Sequence, residues 1–226
     1  MIVAFERVLV LVVVASAIAI AAYAYTQASL RVSGAPANPL EASLAAFEAL
    51  KSSAKGYGEC LADLGSSKLG VQESTVTVEV VLPAETISKE WVKRSLTVEP
   101  VSSEDRGEAK AWSTKSLFNW RVTGGVAYAE PIVLLNLTGF TDSQGRDWKI
   151  IDVSFPELTF TLRAEGGKLS FRAVRTGVEV ESYSRTFTAA TQVEVYVNGE
   201  LALSTTARNL IVRFNTVRVG CEAVRA

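Results

Sequence analysis

Cys60 and Cys221 are the only cysteines in a chain of 226 residues that contains no histidine. Two thiols without an imidazole cannot supply the usual four-ligand zinc set. The lack of histidine also removes a Ser/His/Asp triad, a Cys/His pair and the commonest general base. Carboxylates are left as acid–base groups. Glu79, Glu130, Asp142, Asp147, Asp152, Glu157 and Glu179 are distributed over alternating strands and turns, and no spacing marks two of them as a facing pair. They read as solvated surface groups. Residues 142–147 lack the Asp/Asn ladder and closing glutamate of a calcium loop, and read as a turn. Gly124-Gly125 and Gly166-Gly167 are turn residues too, since neither opens a helix with phosphate-binding spacing. The set implies no catalytic residue, no metal and no cofactor, so a non-enzymatic protein is expected.

Binding chemistry is thinly marked. Trp91, Trp112, Phe118, Trp120 and Trp148 are candidates for a sugar-binding face, although in a β-sandwich such residues are more often core. Asn136-Leu137-Thr138 is a glycosylation sequon, usable outside the membrane in an organism that glycosylates. The 24 acidic and 23 basic residues are scattered and leave a net charge of −1. No basic face for a nucleic-acid partner is expected.

The elements that hold these residues begin with an apolar run. No charged residue occurs over 8–30, and Val8, Leu9, Leu11, Val14, Ile18 and Ile20 give the run its membrane-helix character. It slightly exceeds the roughly 20 residues needed to span a bilayer. Tyr23 and Tyr25 fall where interfacial rings belong, and the short flank of Glu6 and Arg7 favours a cytoplasmic amino terminus. The expected location is the cell membrane, with lipid contacted through 8–30 and the carboxyl-terminal domain outside. Small residues at Ala22, Ala24 and Ala28 leave the competing outcome of a signal peptide cleaved after Ala24 or Ala28 and a secreted domain. In an extracytoplasmic setting Cys60 and Cys221 are expected to form a disulfide closing a very long loop, worth about 4–5 kcal/mol in the chain-entropy model. Two unrelated buried thiols are the alternative.

Residues 31–70 read as linker, amphipathic helix and a loop or short helix carrying Cys60; residues 71–226 read as a β domain. Asn38 caps, Pro39 takes the first helical position, and Leu40, Leu44, Phe47 and Leu50 form an apolar stripe over 40–55. From Val76, Val78, Val80 and Leu82 onward the period is two. Segments 158–162 and 169–173 are expected to form a hairpin, and Asn198-Gly199 is the strongest hairpin turn in the chain. Leu210, Val212 and Phe214 are followed by Val217 and Val219 on the opposite parity, which predicts a bulge near Asn215. Strands at this density without helical stretches between them imply a mainly β fold, an antiparallel β-sandwich preceded by a transmembrane or signal helix and a short amphipathic helix. Residues 85–116 form a polar excursion, either within one domain or at a boundary between two.

The apolar amino-terminal run, the amphipathic helix over 40–55 and the strand ending at Leu82-Pro83 together resemble the layout of archaeal type IV pilin-like and other amino-terminally anchored surface proteins. The resemblance covers roughly the first 83 residues. It departs from the family at Met1 to Phe5, where no basic residue and small residue precede the apolar helix, and at Gly34 to Pro39, which interrupt a continuous helix. It implies a structural role: the apolar helix associates with copies of itself or with other surface proteins, and the β domain forms the outer surface. A tethered or secreted binding module, an adhesin or accessory ectodomain recognising a protein or glycan, is the alternative.

Overall fold

The computed structural model describes residues 38–164 and 166–226; the expected membrane helix over 8–30 and the linker over 31–37 lie outside them. No helix among the described residues is long and apolar enough to cross a membrane.

Helix α1 (Pro39–Ser53) starts as its sequence dictates. The Asn38 side-chain oxygen accepts from the Leu40 and Glu41 amides at 3.2 and 3.4 Å, and Pro39 sits in the first turn, where no N–H is needed. Three residues of the apolar stripe pack on the domain as expected, Leu50 fully buried and Leu40 and Phe47 half-buried against the core, but most of the buried side is made by Ala42, Ser43, Ala46, Ala49 and Ser53, and Leu44 is exposed. The cause is the next element. Strand β1 (Tyr57–Asp63), where a loop or short helix was expected, lies so close that a Cβ added at Gly58 would fall 1.9 Å from the Ala49 carbonyl oxygen. Helix and strand meet backbone to backbone, and only small side chains fit between them.

The chain continues through β2 (Lys68–Val81), β3 (Thr86–Glu99), β4 (Trp112–Ser113), β5 (Phe118–Thr123), β6 (Val126–Pro131), β7 (Val133–Thr141), β8 (Asp147–Leu162), β9 (Lys168–Val197) and β10 (Glu200–Arg225). These strands form one sheet in the order β4-β7-β8-β10-β9-β2-β3-β6-β5, with β1 pairing the first residues of β9. The fold is mainly β, as the period of two implies. It is not purely antiparallel, because β10 runs parallel to β8 and β4 parallel to β7. The hairpin expected between 158–162 and 169–173 is also corrected: β10 lies between the two segments and pairs with both. Alternating apolar residues fix which face of a strand is buried, but not which strand lies beside it.

The long strands serve two cores and turn opposite faces to them. In β10, Leu210, Val212 and Phe214 enter a core shared with Ile151, Val153 and Phe155 of β8. Val217, Val219, Cys221 and Ala223 enter a second core, shared with Leu158 of β8 and with α1. The parity change near Asn215 is therefore not a bulge. β10 pairs with β8 residue for residue from Asn209 to Ala223, and its nearest shift against β9 comes at Arg218/Val219, where Thr176 is the extra residue. Side chains alternate along an unbroken strand, so one face of the ribbon is buried at one end and the opposite face at the other. The β2–β3 hairpin makes the same exchange without a register shift. Val76, Val78, Val80, Ile87 and Trp91 belong to the first core, and Leu69, Leu96 and Val98 to the core with α1.

Trp91 shows how the sheet folds over itself. Its ring stacks on Phe155 with centroids 5.3 Å apart, although β3 and β8 are not neighbours in the sheet. At the far end of the first core, residues 187–190 of β9 lie opposite Arg208 alone, and beyond this irregularity β9 pairs with β2. Asn198 and Gly199 make the hairpin turn at φ 51° and 81°, as their sequence predicts.

The expected disulfide is not formed. Cys60 and Cys221 are free thiols, and β9 runs between the strands that carry them, Cys60 lying opposite Phe171 and Cys221 opposite Ala173. Two strand spacings come to roughly 9–10 Å, beyond the roughly 4.4–6.8 Å between Cα atoms of a bridged pair. Burial pushes both thiols up to about 12, with Glu59 adding to the effect at Cys60.

Candidate functional site

The sequence places Glu130 among the solvated carboxylates; the structure buries it, leaving it 3% exposed. It stands on β6, whose Ala127 and Ala129 face the core with α1 while Glu130 points the opposite way. β6 pairs with β5 along its length but with β3 only at Leu96–Val98. Where β3 and β6 part, Lys93 of β3 reaches Glu130 Oε2 at 2.7 Å, and Arg121 and Asn119 of β5 donate to Oε1 at 3.1 and 3.2 Å. Arg121 and Asn119 share a face because they are two residues apart on one strand. A buried carboxylate with no partners would be very costly; here two cations and an amide satisfy it.

The second half of the polar excursion supplies a wall. Asn119 Nδ2 also donates to the Glu108 carbonyl at 2.8 Å, Arg106 pairs with Val122 through both backbone groups, and the Val133 amide donates to the Ala111 carbonyl. The segment thus lies along β5 and β7, and with Asn38–Ala226 forming one compact unit it is no boundary between two β domains. The hairpin turn forms the far rim: the Asn198 amide donates to the Thr77 carbonyl, and the Thr77 amide donates back to Asn198 Oδ1 at 3.0 Å. Between these walls is an open cleft of about 260 Å³ lined by Lys93, Lys110, Arg121, Glu130, Asn198 and Glu200, with Val76, Ala109, Ala111 and Pro131 as its apolar surface.

The electrostatics are lopsided. Glu130 is already committed to Lys93 and Arg121; Lys110 adds a third cation, with Glu108 Oε2 at 3.8 Å from its Nζ, and Glu200 lines the same cleft. Arg121 uses only its Nε on Glu130; its guanidinium carbon stands 4.1 Å from the Tyr128 ring centroid, which fixes the plane of the fork. No acceptor among the described residues takes the terminal guanidinium nitrogens, and no buried side-chain nitrogen or oxygen lacks a partner. Those donors therefore meet open space. The arrangement can hold an anionic group, and Glu130 acts as the internal counter-charge that positions two cations.

The other sequence candidates are not brought together. Trp91 and Phe118 are buried in different cores, Trp112 packs against the core of Trp91, and Trp120 packs against the other core with its N–H 3.2 Å from Ser43 Oγ. Trp148 stacks on Phe140 on the opposite side of the β7–β8 turn, so the five aromatics make no common sugar platform. Residues 142–147 form a turn around Asp142, whose carboxylate accepts from the Gln144 and Arg146 amides, the Arg146 side chain and the Trp148 indole. These donors, the Arg146 amide foremost, hold its carboxyl below the usual range. Asn136 and Thr138 are exposed on β7, opposite Asp152 and Ile150 of β8. Among the described residues no group of three or more His, Cys, Asp or Glu is placed to hold a metal. A second open groove of about 330 Å³, lined by Thr159, Thr161, Arg172 and Glu222, contains only surface charges.

No signal within β6 marks Glu130: its cation partners are 37 and 9 residues away in sequence. Only the pattern Val126-Ala127-Tyr128-Ala129-Glu130 hints at the arrangement, with alanines on one face and larger residues, Tyr128 and Glu130 among them, on the other. Comparison with family models, curated proteins and solved structures gave no match.

Proposed function

We propose that this chain is a non-enzymatic cell-surface protein, anchored by the apolar run over 8–30, whose sandwich-like β domain stands outside the membrane as part of a structural assembly of the pilin-like kind. The observation that carries the reading is the division of the chain. An uncharged run with no polar face to offer water is followed by a domain that starts with its own helix cap at Asn38 and carries a mixed-charge surface. Assembly is supported by β9. Among the described residues its middle pairs only with β10, between the β1 partner ending at Val174 and the β2 partner starting at Glu194. Val178 and Val180 on that stretch are 51% and 55% exposed. A half-paired strand edge is a template for another chain.

Fractionation and sedimentation of the full chain test this together. The expected result is a protein that resists alkaline extraction from membranes and, in detergent, associates with rising concentration unless Val178 and Val180 are both replaced by Lys. A protein that leaves the membrane as a monomer at every concentration contradicts it.

The second reading, a tethered or secreted binding module, is favoured by one observation, the cleft over Glu130. A cation pair organised around a buried carboxylate is a costly device for stability alone, since apolar residues of similar volume usually serve as well.

A further inference from the structure

We propose that the Glu130 cleft binds one acidic sugar residue, a hexuronate, by its carboxylate and hydroxyls. The proposal rests on the second reading in taking the cleft as a ligand site, and it holds whether the domain is tethered or free.

Charge selects the first half of the ligand. Lys93, Lys110 and Arg121 line the cleft, and Arg121 keeps its terminal N–H groups unbonded on a planar fork that matches a carboxylate in bidentate fashion. Lys93 and Arg121 are held by Glu130 before any ligand arrives, so little side-chain entropy remains to be lost on binding.

Glu200 selects the second half. A carboxylate lining the same cleft as the three cations repels a ligand that is anionic throughout, but accepts hydrogen bonds from hydroxyl groups, and Asn198 adds an amide on the same rim. A ligand that satisfies both halves carries an anion at one end and hydroxyl donors at the other. The apolar part of the lining, Ala109 and Ala111 with the edges of the buried Val76 and Pro131, is small and suited to the C–H face of a ring, and about 260 Å³ of open cleft holds one ring rather than a chain of them. An acidic peptide offers the anion without the hydroxyls and presents Glu200 only with backbone N–H groups.

Calorimetric titration of the full-length protein in detergent with glucuronate and galacturonate tests this, with glucose and acetate as controls. One or both uronates bind, glucose and acetate bind at least tenfold more weakly, and affinity falls as sodium chloride is raised. Arg121→Gln weakens uronate binding at least tenfold. Because that change disturbs Glu130, Lys110→Gln and Glu200→Gln, which leave the Glu130 contacts intact, serve as folded companions and each weaken it severalfold. Equal affinity for acetate and uronate overturns the proposal in favour of a bare anion site. No heat with either uronate, or uronate binding untouched by all three substitutions, overturns it outright. Neither failure bears on the membrane anchor, which fractionation reads separately.

Discussion

The indole N–H of Trp91 donates to Thr216 Oγ1 at 2.8 Å, and Val217, the next residue along β10, is buried in the other core. At this point the sheet changes the face it buries. The bond holds β3 over β8 and β10 in one core while the backbone it grips continues into the second. Thr216→Val should leave the buried indole N–H without an acceptor and cost about 1–3 kcal/mol. Trp91→Ala, which also empties the space beside Phe155 and Phe214, should cost about 3–5 kcal/mol. Urea unfolding followed by fluorescence and circular dichroism measures both.

At the other core the sensitive contact is Gly58 against the Ala49 carbonyl. A Cβ there would overlap backbone rather than a movable side chain. Gly58→Ala should therefore displace α1 and destabilise by about 3 kcal/mol, the upper part of the range for overpacking. Because β2, β3, β8, β9 and β10 run through both cores, this change and Thr216→Val should move one common transition. Two separate transitions, each sensitive to one substitution, would show that the cores unfold independently.

The free thiols give a pH signature. Folding holds Cys60 and Cys221 protonated, with each pushed up to about 12; in the unfolded chain a thiol ionises near about 8.5. The unfolded state thus loses protons first. Stability is unaffected below about pH 8.5 and falls as pH rises from there towards about 12. Cys60→Ser/Cys221→Ser should flatten that alkaline slope. Titration without reductant should find both thiols per chain in denaturant, and slow alkylation of the native protein at pH 8. A chain with no titratable thiol would restore the disulfide.

The sequence carries more of the elements than of their arrangement. The Asn38 cap and the Asn198-Gly199 turn are local chemistry, and both form as read. The helix face is legible in part: Leu40, Phe47 and Leu50 pack on the core as read, but hydrophobicity ranks the exposed Leu44 above Ala46 and Ala49, whereas proximity to Gly58 ranks small residues first. The slip after Phe214 is visible in the sequence, but a bulge and a change of buried face leave the same parity trace; only the unbroken β8–β10 register separates them. The insertion of β10 between β8 and β9 has no local signal at all. The cleft is the least legible part, since Lys93, Arg121 and Glu130 meet only because β3 and β6 part beyond Leu96.

The intact mass of the native protein recovered from its own membranes tests the anchored-surface account most directly. The account predicts a mass that includes residues 1–24, found in the fraction that resists alkaline extraction. A mass beginning at Tyr25 or Ser29, with the protein in the soluble exported fraction, would contradict it and leave a free β domain with its cleft.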